Sequence, residues 1–302
     1  MIKSITATNY LGESLKMELA KPEASGFIIK SITGLGPANA SISTTSLATT
    51  DGAIYNSARL DSRNIVIEFD FRLAADAEYA RQKTYKYFPI KKYLTLEIET
   101  SARSLRAFGY VEKNEPNIFD ANETSQISII CPDPYLYSAN GKDVTVFSGI
   151  EPLFEFPFSN ESLTEKLIEI GNITHKQENV VYYNGDAEIG MTITIHAIGD
   201  VKNIVIYNSH TREVMRIDTD RIKAMTGAAF STGDDIIVCT KRGMKSVTLL
   251  RAGSTTNILN ALERNSSWFQ LSKGDNMFAY DCEEGALNVQ FKIENEVIYE
   301  GA

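Results

Sequence analysis

The chain is poor in the residues that most often carry chemistry. Its 302 residues contain three cysteines, three histidines and one tryptophan. Cys131, Cys239 and Cys282 lie far apart, cannot all pair within one chain, and form no C-x-x-C spacing. This excludes a disulfide framework and a thiolate zinc site, and points to free, mostly buried thiols in a reducing compartment. His175, His196 and His210 are isolated, with no partner at metal-ligand spacing. His196 falls on the Thr192 and Thr194 side of its strand pattern and reads as a solvated surface histidine. No apolar run approaches the roughly 18 residues that span a bilayer. The opening stretch to Leu15 is interrupted by Thr6, Asn9, Gly12 and Glu13, so it offers no signal-peptide core. A soluble chain made in the cytoplasm, with no membrane partner, is the expectation.

Positive charge is also lacking. Thirty-nine acidic residues against 30 basic ones leave a net charge of −9. A general DNA or RNA binder needs the opposite balance, because its affinity comes from releasing counterions from phosphates. Hydrophobic residues at 43% and charged residues at 23% exclude a disordered chain. At roughly 150 residues per domain the length suggests two domains, with one large β domain as the rival.

No catalytic or cofactor motif is complete. Gly34-Leu35-Gly36 resembles half of a dinucleotide loop, but Asn39 stands where the third glycine belongs, and no strand–helix context follows. Gly141-Lys142 runs into Asp143 rather than forming a phosphate loop. Asp218-Thr219-Asp220 and Gly233-Asp234-Asp235 offer carboxylates of the kind used by glycosidases or calcium sites. Both sit at strand ends, where aspartate favours turns through hydrogen bonds to its own backbone, and they are read as turns. Trp268 beside Phe269 suits a sugar-stacking platform, but is read as a core anchor. No catalytic, cofactor-binding or metal-binding residue is therefore assigned, and no enzyme is expected.

What the chain has in quantity is period-two alternation. Over residues 64–73, Ile65, Ile67, Phe69, Phe71 and Leu73 share one face, opposite Asn64, Val66, Glu68, Asp70 and Arg72. Such alternation is a half-buried strand. Shorter versions occur at 94–98, 126–130, 191–198, 204–207, 214–217, 236–239, 247–250 and 289–293. Turn residues separate many of them, including Asn184-Gly185-Asp186 and Gly253-Ser254. Many short strands with glycine-rich turns indicate sandwiches or barrels. One segment, 74–87, reads as helix: acidic at its start, basic at its end, and stopped by Pro89. A helical turn is expected over 256–262. Cys131-Pro132-Asp133-Pro134-Tyr135-Leu136-Tyr137 and the turn cluster after it mark a boundary, giving domains 1–138 and 139–302. Residues 151–158, with three phenylalanines around Pro157, read as an inter-domain strap.

In order, these pieces resemble the distal tail (Dit) family of long-tailed bacteriophages. Ile32-Thr33-Gly34, Asp51-Gly52, the strand from Asn64 to Phe71, the helix and the Cys131–Tyr137 run come first. Asn184-Gly185-Asp186-Ala187-Glu188-Ile189-Gly190, Gly233-Asp234-Asp235, Ser267-Trp268-Phe269-Gln270-Leu271 and Gly274-Asp275-Asn276 follow. Each motif is weak alone; their order over about 270 residues is specific. The resemblance implies a mainly β protein with an N-terminal tail-tube-like domain carrying one helix and a C-terminal galectin-like β-sandwich. It implies a structural virion protein, commonly a hexameric ring, assembled in the host bacterial cytoplasm. The ring would join the tail tube protein to the baseplate or tail-tip hub protein and support receptor-binding or fibre proteins, with DNA passing through unbound. No cofactor is implied. The C-terminal half is long for the family, so an insertion or altered loop is expected between Gly149 and Asn184. The alternative left by the residues is a carbohydrate-binding module that recognises cell-wall glycans.

Overall fold

A computed structural model of the chain describes residues 1–49, 51–72, 74, 76–119, 123–152, 171–175 and 177–302. The protein is mainly β and divides into two compact units. Unit 1 comprises Met1–Gly141 together with Ile298–Ala302, and unit 2 comprises Lys142–Val297. The chain therefore returns to unit 1 for its last five residues.

Unit 1 begins with β1 (Ile2–Asn9), β2 (Ser14–Glu18), β3 (Ile28–Thr33), β4 (Ala40–Ser46) and β5 (Ala53–Leu60). Next come β6 (Arg63–Asp70), α1 (Ala77–Tyr87), β7 (Tyr93–Thr100), β8 (Ser104–Asn117), β9 (Thr124–Cys131) and β10 (Leu136–Val146). Antiparallel ladders run in the order β2-β1-β7-β8-β9-β6-β3. The alternating face foreseen on β6 is dry: Ile65, Ile67 and Phe69 are fully buried. Phe27 meets Phe69 and Phe71 edge-on, with ring centroids 5.6 Å apart in each case, and Phe88 packs on Phe69. Each such side chain contributes about 1.5–3 kcal/mol on full burial. Asp76 caps α1 by accepting from the backbone N–H groups of Glu78 and Tyr79, which starts the helix three residues later than its composition suggests. Leu73, the last residue of the expected strand, lies outside the described residues.

Unit 2 carries β11 (Ser148–Pro152), β12 (Gly171–His175), β13 (Glu178–Tyr183), β14 (Ile189–Gly190), β15 (Thr192–Ala197), β16 (Lys202–Asn208) and β17 (Glu213–Ile217). After α2 (Thr219–Thr226) come β18 (Asp235–Cys239), β19 (Ser246–Arg251), β20 (Ser254–Asn257), β21 (Gln270–Leu271), β22 (Gly274–Glu284) and β23 (Val289–Tyr299). Two antiparallel sheets result, β13-β22-β16-β17 and β23-β15-β18-β19-β20. Their inner faces meet, with the rings of Tyr280 on β22 and Phe291 on β23 stacked 5.1 Å apart. Ile193, Ile195, Ile204, Ile206, Ile236, Val238 and Phe278 fill the space between.

Two local expectations change. Asp218-Thr219-Asp220 is a helix start rather than a plain turn. Asp218 accepts from the backbone N–H of Arg221, and Gly227, at φ 81°, closes α2 in the left-handed conformation. The turn expected over 256–262 is a single 3₁₀ turn at Leu259–Ala261. From residue 153 onward the phenylalanine-rich stretch lies outside the described residues, as does most of the interval expected to hold an insertion. No described helix is long and apolar enough to cross a membrane.

Candidate interaction surfaces

The residues that looked chemical in the sequence turn out to support backbone or each other. Gly34 and Gly36 stand in a strand–loop–strand link between β3 and β4, and their carbonyls accept from Nη1 of Arg63 at 2.6 and 2.5 Å. The same guanidinium donates to the carbonyls of Pro134 (2.7 Å) and Glu300 (2.6 Å). Arg63 is only 3% exposed, and burial pulls its pKa down. It is a buried cation solvated by four carbonyls. Gly34 is required there: at φ +83° a Cβ would lie 1.9 Å from the carbonyl oxygen of Asn64.

The acidic pairs are similarly engaged. Asp234 is buried and accepts from Arg251 at 2.8 and 2.5 Å and from the backbone N–H of Ser231. The hydrogen bond from Arg251 holds its carboxyl below the usual range, and the same bond raises Arg251. Asp235 faces His196 across the β15–β18 ladder, with 2.7 Å between Oδ1 and Nδ1. His196 is thus half-exposed but partnered. Asp218 serves α2. Among the described residues no group of three metal-ligating side chains converges. Cys131, Cys239 and Cys282 are free; only Cys131 is buried, and the other two are half-buried. Burial pushes the Cys131 thiol up to about 11 and that of Cys282 to about 12, so neither is a ready thiolate.

Trp268 is not the core anchor expected. It is half-buried, with the Lys245 ammonium 5.3 Å from its ring centroid. The anchor is its neighbour Phe269, fully buried and edge-on to Phe278 at 5.5 Å. Strand alternation explains the exchange, since two adjacent aromatics in extended chain cannot both face inward.

The feature that sequence reasoning missed is the hairpin β4–β5. Its strands pair only with each other, from Ala40↔Leu60 to Ser46↔Ala53, and every residue of both is exposed. The register places Ile42, Ala58, Leu60 and, beyond a bulge, Tyr55 on one side. Ser41, Ser43, Ser57, Arg59 and, beyond the bulge, Ile54 take the other. Ile42 and Tyr55 are each 63% exposed. The root is fixed: Ser41 donates to Asp61 at 2.7 Å, the N–H of Asp61 bonds the carbonyl of Asn39, and Arg63 holds the preceding loop. The signal available in the sequence was Asp51-Gly52, a hairpin turn with Gly52 at φ 94°.

The described residues thus combine a mainly β fold, a buried structural cation, engaged carboxylates and an exposed hairpin with apolar side chains. Residues 184–294 match the family model of the siphovirus-type tail component, C-terminal domain. No curated protein matches the sequence. Among solved structures, the chain is similar to the SPP1 Dit (gp 19.1) protein, described as a paradigm of the hub adsorption apparatus in phages infecting Gram-positive bacteria. The two are 13% identical, with 97% of this chain and 99% of that chain covered and a TM-score of 0.62. Chains of the phage P2 baseplate in its activated conformation, with calcium and with strontium, give a TM-score of 0.46 each. Identity there is 10% and 11%, over 98% of both chains in the first and 97% of both in the second. The resemblance to the distal tail family is borne out in the C-terminal part by the family match, and over the whole chain as a likeness of fold.

Proposed function

We propose that the protein is a distal tail hub. Copies of unit 1 close into a ring of six that joins the tail tube to the baseplate or tail tip. Unit 2, a galectin-like sandwich, carries host-adsorption proteins. The protein is structural rather than enzymatic, needs no cofactor, is built in the host cytoplasm and resides in the virion. DNA passes the ring without being bound.

The observation that carries this reading is the hairpin β4–β5. A lone two-stranded hairpin is at best marginally stable in water. This one also holds Ile42 and Tyr55 largely in solvent and Leu60 partly so, and burial against a neighbour would yield up to about 1.5–3 kcal/mol for each of the first two and less for Leu60. A stiff root and a bare arm with exposed apolar residues suit the head-to-tail contact of a cyclic ring, in which one patch of each copy meets a different patch of the next. The carbohydrate-binding reading gains nothing from Trp268, because Lys245 already stands over its ring.

Sedimentation velocity on the full chain tests the proposal. Six copies of a 33.5 kDa chain give an assembly of about 200 kDa. The double variant Ile42→Asp, Tyr55→Asp should assemble at least about tenfold more weakly, since two desolvated contacts are lost. Its thermal midpoint should stay within a degree or two, because neither side chain belongs to the core. A variant that assembles as well as the parent would contradict the role given to the hairpin.

A further inference from the structure

The outer face of the four-stranded sheet in unit 2 carries an apolar band that the core does not use. Strand registers align it: Val180 on β13 opposes Met277 on β22, and Tyr207 on β16 opposes Val214 on β17. Tyr182 extends the band along β13, two residues beyond Val180 and on the same side. Tyr182 is 63% exposed, Met277 42% and Val180 40%, while Tyr207 and Val214 are half-buried. Single exposed apolar residues are ordinary, but a band crossing all four strands of one sheet marks a contact surface.

The border of the band is acidic except for the exposed Arg216, which stands opposite Val205. Glu178 stands opposite Ala279, Asp275 opposite Tyr182, and Asp281 opposite Val205. None of these three carboxylates forms an ion pair among the described residues. Asp281 also lines a depression of about 330 Å³ at one end of the face, shared with Asp218, Glu263, Glu283 and Arg216.

We infer that this face docks another protein, whose matching patch is apolar at its centre and carries lysine or arginine at its edge. This rests on the hub reading and names the surface by which unit 2 would hold a further tail protein. Charge decides the occupant. A second copy presenting the same face would set three carboxylates against three with only Arg216 on each side to offset them, which costs rather than contributes affinity. A glycan would have to desolvate many hydroxyl groups on a band of Val180, Met277 and Val214, which return no hydrogen bonds. A basic-rimmed apolar patch satisfies both the band and its border, with the rim accelerating encounter and the centre slowing release.

The test places a photoreactive benzophenone amino acid at position 277 of the full-length chain, in tails assembled with that chain. Position 255, exposed on β20, is the control. The cross-link from 277 is expected to join a different tail protein, at a segment where lysine or arginine flanks apolar residues. Charge reversal by Glu178→Lys, Asp275→Lys and Asp281→Lys should lower that cross-link about tenfold at low salt and less at high salt. A cross-link to a second copy, protection of 277 by purified cell-wall glycan alone, or no cross-link in tails that contain the chain would overturn the docking surface. Tails that never incorporate the chain would overturn the hub reading itself.

Discussion

Asp234 shows how a side chain that looked catalytic is tied into structure. Its carboxylate is buried beside Arg251, whose guanidinium also donates to the carbonyl of Ala229 at 2.7 Å. The hydrogen bond from Arg251 holds the folded-state pKa below the ordinary 3.8. A carboxyl depressed on folding contributes stability above its unfolded pKa and loses it as pH falls through the folded value. Asp234→Asn should therefore cost about 2 kcal/mol near neutral pH, the scale of a charged hydrogen bond. The difference from the parent should shrink as pH drops below 3.8. Denaturant unfolding read by Trp268 fluorescence measures it, and a gap independent of pH would refute the assignment. The same scale shows the reach of alternation: it places inward residues as a set but does not decide which of two adjacent aromatics belongs to the set. Trp268 and Phe269 could be exchanged for that reason. His196 was legible as a surface residue, whereas its pairing with Asp235 depends on a register between strands 39 residues apart.

At the scale of elements, the strands sequence revealed were ones that bury one face, although β1, β8 and β22 bury one too and were not read. β6, β7, β9 and β15 to β19 all coincide with runs of clean alternation, since a dry face imposes period two. β4 and β5 were silent because neither face is buried in the chain and the segment is rich in serine and threonine. α2 was hidden by its brevity: eight residues bury only Thr219 and Ile222, and Asp218 reads equally as a cap or a turn. Arg63 links three elements that sequence could not connect. It holds the β3–β4 loop, the turn at Pro134 and the returning C-terminal residues, the last across 237 positions. Arg63→Met, which keeps much of the bulk, leaves four carbonyls without their donor. It should destabilise unit 1 by about 3 kcal/mol or more, given 1–3 kcal/mol per buried unsatisfied group and partial rescue by water. Hydrogen exchange in β3 and β6 should accelerate while β15 and β18 keep their protection; equal protection in β3 and β6 would show the cage to be incidental.

At the scale of the whole molecule, the proposed hub role has to agree with composition and architecture. Two units with separate cores, and a return of the chain to the first, suit a ring former that carries a second module. Each copy bears a net charge of −9, so the proposed ring of six would bring −54. Such a surface repels DNA wherever its carboxylates face the passage, over a Debye length of roughly 8 Å at physiological salt. Cyclic closure, the hairpin contact and the docking face of unit 2 all depend on one claim, that the chain is the ring at the end of a phage tail. Electron microscopy of the purified full-length chain, alone and mixed with its tail tube protein, tests this most directly. The account predicts closed rings of six that seat on one end of the tube. A monomer at high concentration that forms no ring even beside the tube protein would contradict it.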